Sequence, residues 1–198
     1  LSIRRQRQMC IRDRLSDMIS LIATATNTQD KADQLLDFIN QEKEMLTTSL
    51  ATANDTPNIY LAGNSSLLST AGPAMYQSGI IELAGGKNVA SDISDTYWAE
   101  ISYEQLLSWD PDYIILASDA EYTVDDVLSD PNLKDCTAVK NNHVYAISGD
   151  IEALDSPVPA SILASIWLAG ILHPDQVSTD TYTKEMNSFY ETFYGIKK

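Results

Sequence analysis

The chain has 198 residues, 44% hydrophobic and 21% charged, a length and balance suited to one domain with a substantial core. Its formal charge of −15 excludes nucleic acid as a partner, because phosphate binding needs clustered Lys and Arg. No stretch approaches the roughly 18 apolar residues that span a bilayer; the longest apolar segment, 162–172, is interrupted by Ser165 and reads as a buried helix.

The arginines are confined to the start of the chain. Arg4, Arg5, Arg7, Arg12 and Arg14 all fall in residues 1–14, beside Cys10. This stretch lacks the apolar run of roughly 7–15 residues that marks a secretory signal. It reads as a non-native leader, similar to sequencing-adapter read-through joined to a truncated gene, with a native basic arm as the alternative. With residues 1–14 set apart, Cys136 has no intrachain partner and reads as a small buried thiol.

Residues 15–53 carry helical periodicity. Leu15, Met18, Ile19 and Ile22 share one face, as do Ala32, Leu35, Leu36, Ile39, Leu46 and Leu50. Asn27 or Thr28 can cap the second run, with Asp30 in its first turn at the positive end of the dipole. Two helices, or one bent helix, are expected, ended by the turn cluster Asn54-Asp55-Thr56-Pro57.

From residue 54 to 198 short apolar strands alternate with helices. Asn58 to Ala62 reads as a strand leading into a polar loop at Gly63-Asn64-Ser65-Ser66, and a helix is expected from about Pro73 to Ala84. Ser102 begins another helix, with Gln105 as its capping-box partner, and Asp110-Pro111 ends it. Residues 113–117 are apolar without alternation, the pattern of a strand buried on both faces of a parallel sheet, and 144–147 form the next strand. Ser156 is expected to cap a long helix with Pro157 at its first position, closed by His173-Pro174. A last helix over 179–194 aligns Tyr182, Met186, Phe189, Tyr190 and Phe193 on one face. The alternation predicts an α/β fold: a three-layer lobe with a mainly parallel central sheet flanked by helices. In such sheets ligands bind outside the carboxyl ends of the strands.

Several segments carry a resemblance. They are the run from Ile80 through Gly85-Gly86-Lys87-Asn88 to Ala90, Trp98 through Leu107, Asp110-Pro111-Asp112 into Tyr113, Ala138 through Tyr145, and Leu172-His173-Pro174-Asp175. In this order and spacing the chain resembles the extracytoplasmic solute-binding proteins of ABC importers for siderophores, haem and vitamin B12, whose two lobes are joined by one long helix. The resemblance covers about residues 16–195. It implies that 15–53 is part of the interlobe helix, that 54–198 is the C-terminal lobe, and that the N-terminal lobe is missing. A periplasmic or surface-anchored location is implied with it.

That resemblance places the ligand, a metal chelate or tetrapyrrole, between the lobes. It makes candidates of Asn64, Ser65, Ser69, Thr70 and Tyr76 after the first strand, Tyr97 and Trp98 before the Ser102 helix, Glu121 and Tyr122 after the buried strand, and Asp155 after the last. Tyr and Trp suit broad planar ligands, giving apolar area with a polar handle. Trp98 is similar in position to a ligand-contacting tryptophan of the B12-binding members; a tryptophan packed under its own helix is the other reading. Asp155 could meet a ligand or cap the helix after it. Glu104 matches the acidic residue that docks onto arginines of the permease, although a glutamate in a first turn is favoured by the dipole in any case.

His143 before a strand and His173 at a helix end read as structural, which argues against a bare metal-ion site. The sequence has no Gly-x-Ser-x-Gly elbow, Walker loop or Gly-x-Gly-x-x-Gly, so neither catalysis nor a cofactor is expected. Two alternatives stay open: the same fold binding an unrelated small organic molecule, and an α/β interaction module with no small ligand.

Overall fold

Two helices open the structure, a computed structural model that describes residues 15–93 and 97–197. The leader, residues 1–14, lies outside them. Helix α1 covers residues 15–26 and α2 covers Gln29–Leu50, with Asn27 between them in the left-handed region at φ 56°. Thr28 stands at the N-cap of α2 without a capping bond, its hydroxyl paired instead with that of Thr26 at 2.8 Å. The apolar face of α1 differs from the one its periodicity suggested: Leu15 and Ala23 are buried with Ile19 half-buried, while Met18 and Ile22 face solvent. On α2 the inward residues are Ala32, Ile39, Leu46 and, among them, Glu42.

The sheet follows from the apolar runs. Strand β1 (Asn58–Ala62) lies between β2 (Ser69–Ala71) and β5 (Tyr113–Leu116), and β6 (Val144–Ala146) extends the β5 side. The pairs β1–β5 and β5–β6 are parallel, with Ile59 opposite Tyr113 and Ile114 opposite Val144. Strand β3 (Lys87–Asn88) adds in parallel to the start of β1, and β4 (Trp98–Glu100) pairs antiparallel with β2. The order is β4-β2-β1-β5-β6, a mainly parallel sheet as expected.

Side chains alternate between two cores. Ile59, Leu61 and Ile115 enter the layer of α2, α3 (Tyr76–Leu83), α7 (Ile162–Leu172) and α8 (Thr179–Phe189). Tyr60, Ala62, Ile114 and Leu116 enter the other, under α4 (Tyr103–Trp109), α5 (Val124–Leu128) and α6 (Thr137–Lys140). Cys136 is buried in that second core as a free thiol, its pKa pushed up by burial. Helix α7 is apolar all round because it packs on α2, α3 and α8 at once. Its one polar interruption, Ser165, donates to the Ile80 carbonyl at 3.4 Å.

The Gly-Gly-Lys-Asn turn explains itself in this frame. Gly85 takes φ +82° after α3, and a Cβ there would stand 2.7 Å from Nε2 of His173. Asn88 is 4% exposed; its amide donates to the Ala71 carbonyl and the Ser78 hydroxyl, both at 2.8 Å, and its Oδ1 accepts from Ala90 N–H. One side chain thus joins the end of β2, helix α3 and the turn after β3.

Two boundaries differ from expectation. Helix α3 starts at Tyr76 because Gly72 to Met75 forms a turn closed by Met75 N–H on the Gly72 carbonyl at 3.0 Å. Helix α7 starts at Ile162 after a single 3-10 turn, Pro159–Ser161, so Ser156 caps nothing and Pro157 precedes the helix. Pro157 and Pro159 both lack an amide, which delays the ladder to the later one. At the other end, α8 runs into a π-helical turn, Tyr190–Tyr194, as the sequence expected of a helix reaching 194.

Glu42 gives the α2 contact a pH dependence. It is 8% exposed, and its Oε2 has no hydrogen-bond partner among the described residues. Burial, and then the nearby Glu185, raise its pKa from 4.5 to about 7, with Lys184 opposing. A carboxyl with a raised folded pKa stabilises the fold only while it holds its proton; that contribution is complete below pH 4.5 and lost as pH rises through about 7. Glu42→Gln should therefore raise stability by about 1–2 kcal/mol at pH 8 and by much less at pH 5. Urea unfolding at both pH values reads this directly, and an equal gain at both would contradict the burial argument.

Candidate functional site

Because β1, β5 and β6 run parallel, the loops after them, 63–68, 117–123 and 147–158, leave from one edge of the sheet. They are tied to one another. Glu121 N–H donates to the Asn64 carbonyl at 2.8 Å, and the Tyr122 hydroxyl donates to the Gly63 carbonyl at 2.6 Å. Burial pushes the Tyr122 hydroxyl pKa up, so it stays a donor. Asp155, 4% exposed, accepts from the Ser118 hydroxyl at 2.5 Å and from Ser118 N–H at 3.3 Å, fastening the third loop to the end of β5.

Strand β4 brings an aromatic pair to this edge. The Trp98 ring lies over Gly63, where a Cβ would meet it at 3.1 Å, and it is 38% exposed; Tyr97 before it is 62% exposed. Trp98 therefore sits on an edge strand, not under the helix that follows.

The sequence candidates divide accordingly. Asn64, Ser65, Trp98, Glu121 and Tyr122 are brought together at the strand ends, with Tyr97 and Asp155 at the margins. Asp155 acts as a clasp on Ser118 and does not cap α7. Ser69 is buried with its carbonyl accepting from Gly63 N–H at 2.7 Å, and Thr70 is fully buried with its hydroxyl on the Leu61 carbonyl at 2.7 Å. Tyr76 lies elsewhere: its hydroxyl meets that of Ser161 at 2.6 Å, beside a cavity of about 40 Å³ also lined by Leu15, Ile39 and Ile80. A shallow groove of about 370 Å³ lies at the opposite edge, lined by Asp55, Asp112, Tyr113 and His143. The residues that sequence reasoning did not single out are Gly63, whose missing Cβ leaves room for the Trp98 ring, and Ser118, whose hydroxyl meets Asp155.

Glu104 is exposed in the first turn of α4. Ser102 accepts from Gln105 N–H at 3.2 Å as expected of a cap, and its hydroxyl holds the Glu104 carboxyl below the usual carboxylate value. The histidines serve the fold. His143 stacks on Tyr113 with ring centres 4.5 Å apart, and buried His173 reaches the Gly85 carbonyl at 3.3 Å and Asp55 at 3.6 Å. Among the described residues no His/Cys/Asp/Glu cluster could hold a metal ion, and no helix is long and apolar enough to cross a membrane.

Comparison with known proteins agrees with this fold. A model of the family described as "periplasmic binding protein" matches residues 4–151. The molybdate-binding protein MolA of Haemophilus influenzae is 26% identical over 185 residues, 92% of this chain and 52% of its own length. A cobalamin-binding protein of Halobacterium salinarum is 28% identical over 110 residues, 52% of this chain and 29% of its own. Among solved structures, molybdate-bound MolA superposes with a TM-score of 0.82 at 26% identity, over 94% of this chain and 57% of MolA. A periplasmic solute-binding protein of Veillonella parvula shares the fold at TM-score 0.82, with 24% identity over 92% of this chain and 56% of the other. The chain spans about half the length of MolA.

The Asp155 clasp is testable in isolation. Asp155→Ala leaves the Ser118 hydroxyl and amide without their partner at a half-buried position and should destabilise by about 1 kcal/mol. Amide exchange should accelerate at 147–158 before it does in β5. Unchanged exchange in that loop would show that the clasp does not hold it.

Proposed function

Because the chain belongs to the periplasmic binding protein family, we propose that it is the C-terminal ligand-binding lobe of the substrate-binding component of an ABC importer, acting outside the cytoplasm on a chelated metal such as a ferric siderophore, haem or a corrinoid. The observation that carries this reading is the convergence of three strand-end loops beside Trp98 on a single edge of the sheet. That edge is open and gives one wall of a site. The α1–α2 segment is then part of the interlobe helix, and a second, N-terminal lobe supplies the facing wall. The work is capture and release, and no side chain here is assigned a catalytic step. MolA, by its name a molybdate-binding protein, makes a free oxyanion the second reading.

Trp98, Tyr97, Asn64 and Glu121 are proposed to touch the ligand, supported by their position at the strand-end edge. A whole protein binding near 1 μM has about −8 kcal/mol of affinity, and losing half the contacts leaves about the millimolar range. The chain alone should therefore bind ferric siderophores, haem or cobalamin weakly. Supplying a matching N-terminal lobe should tighten binding at least tenfold, with Trp98→Ala removing most of the gain in tryptophan-quenching titrations. Micromolar binding by the chain alone would place the site within this lobe.

Glu104 is proposed as the contact to the permease, on the exposed first turn of α4. In a two-lobed protein, Glu104→Arg should leave ligand affinity within about threefold while like-charge repulsion slows uptake. Undiminished uptake into reconstituted vesicles would remove Glu104 from that role.

A further inference from the structure

The contact between α2 and α8 sets two acids against each other. Helix α8 starts just after His173, which stands with Leu50 beside Gly85, and it reaches Phe38 at its other end, so the two helices run antiparallel. Phe38 packs on Phe189 with ring centres 5.4 Å apart and on Phe193 at 5.9 Å. One turn further along α2 comes Glu42, and one turn back along α8 comes Glu185. Glu42 is buried with its Oε2 unpartnered among the described residues, and the Glu185 side chain is 15% exposed. Two carboxylates held together with so little water cannot both stay ionised. Glu42 keeps the proton, because it lies deeper and because Lys184 pairs with Glu185 at 3.0 Å.

Nothing else that faces Glu42 among the described residues compensates its charge. Helix α7, packed on the same side of α2, has no ionisable side chain. Glu82 of α3 and Asp17 of α1 are exposed, and Lys184 opposes only from the rim. Burial pushes the Tyr182 hydroxyl pKa up, so that ring stays neutral. Helix α8 is also loosely held: of its eleven residues only Phe189 is buried, against nine of the eleven in α7. Few buried side chains mark the part of a fold that opens first.

We propose that Glu42 and Glu185 form a proton-operated latch: protonated Glu42 seats α8 on α2, and loss of that proton lets α8 open locally while the sheet stays folded. The sign follows from the seated state holding Glu42 up at about 7 against an ordinary 4.5. Helix α8 is seated most firmly below pH 4.5, and its opening grows as pH rises to about 7. The latch belongs to the chain's own contacts and holds whether or not the strand-end edge binds a ligand.

Native-state hydrogen exchange of the full chain at pH 5 and pH 8 tests it, with rates corrected for intrinsic chemistry and followed at several low urea concentrations. Amides of 183–189 should lose at least about tenfold in protection between the two pH values. Global unfolding exposes Glu42 as well, so local release is recognised by two signs: less protection in α8 than in β1 and β5, and little response to urea. Glu42→Gln should hold α8 protection within about threefold across the same pH change. Glu185→Gln, which keeps the buried acid and removes its like-charged neighbour, should shrink the pH effect without abolishing it. Equal α8 protection at both pH values overturns the latch, as does protection that falls only in step with β1 and β5 under urea. A pH effect that survives intact in Glu42→Gln or in Glu185→Gln overturns it too, since the pair would then not be its origin.

Discussion

The parallel pairing of β1 with β5 is the constraint on which the rest of the molecule depends. Four residue pairs, Ile59 with Tyr113 through Ala62 with Leu116, hold two strands whose side chains are buried on both faces. Burial on both faces demands a helical layer on each side, and the chain supplies α2, α3, α7 and α8 on one and α4, α5 and α6 on the other. Parallel strands also end together. The polar loops after β1 and β5 therefore meet whether or not their own residues attract, and the site begins as a by-product of strand direction.

The far edge is closed by contacts between segments distant in sequence. His173, at the end of α7, occupies the space that a Cβ on Gly85 would need and donates from Nε2 to the Gly85 carbonyl. Asp55, where the helical region gives way to β1, stands on the other side of the same imidazole at 3.6 Å. The Gly-Gly turn, the His-Pro helix end and the Asn-Asp-Thr-Pro cluster are thus one junction. Two of the segments that carry the family resemblance, the Gly-Gly turn and the His-Pro helix end, therefore meet in space at this junction.

Sequence reasoning found what depends on long apolar patterns. Strands β1, β5 and β6, helices α2, α7 and α8, and the burial of Cys136 follow from runs of residues whose only stable placement is inside. It missed β2, β3 and β4, which are three residues or fewer and carry Ser, Thr, Lys, Asn and Glu. Strands that short have no period to detect; β2 and β3 exist because β1 offers an edge for their backbones to pair with, and β4 because β2 offers one in turn. The same limit applied to the site. The loops were located from strand direction, but Thr70 and Asp155 could not be recognised as inward-facing, because their orientation is set by partners, the Leu61 carbonyl and Ser118, that no local pattern reveals. On α1 the error was one of phase: Met18 and Ile22 fit a helical stripe as well as Ile19 and Ala23 do, and only packing against the lobe chooses between them.

The hydrogen bonds that join the strand-end loops bear on how such a wall can bind. Asn64 to Glu121, Gly63 to Tyr122 and Ser118 to Asp155 fix the loops to each other and to the sheet before any ligand arrives. A wall ordered in advance loses little conformational entropy on binding, so weak capture by it would have a different origin: too few contacts and too little desolvation on its open side. Those two shortfalls respond differently to ligand charge. Contact area grows with any ligand of the right breadth, whereas removing water from Glu121 or Asp119 is favourable only if the incoming group carries compensating positive charge. Closure by the proposed facing lobe would make good both shortfalls, covering the open side and lowering the local dielectric around the same carboxylates.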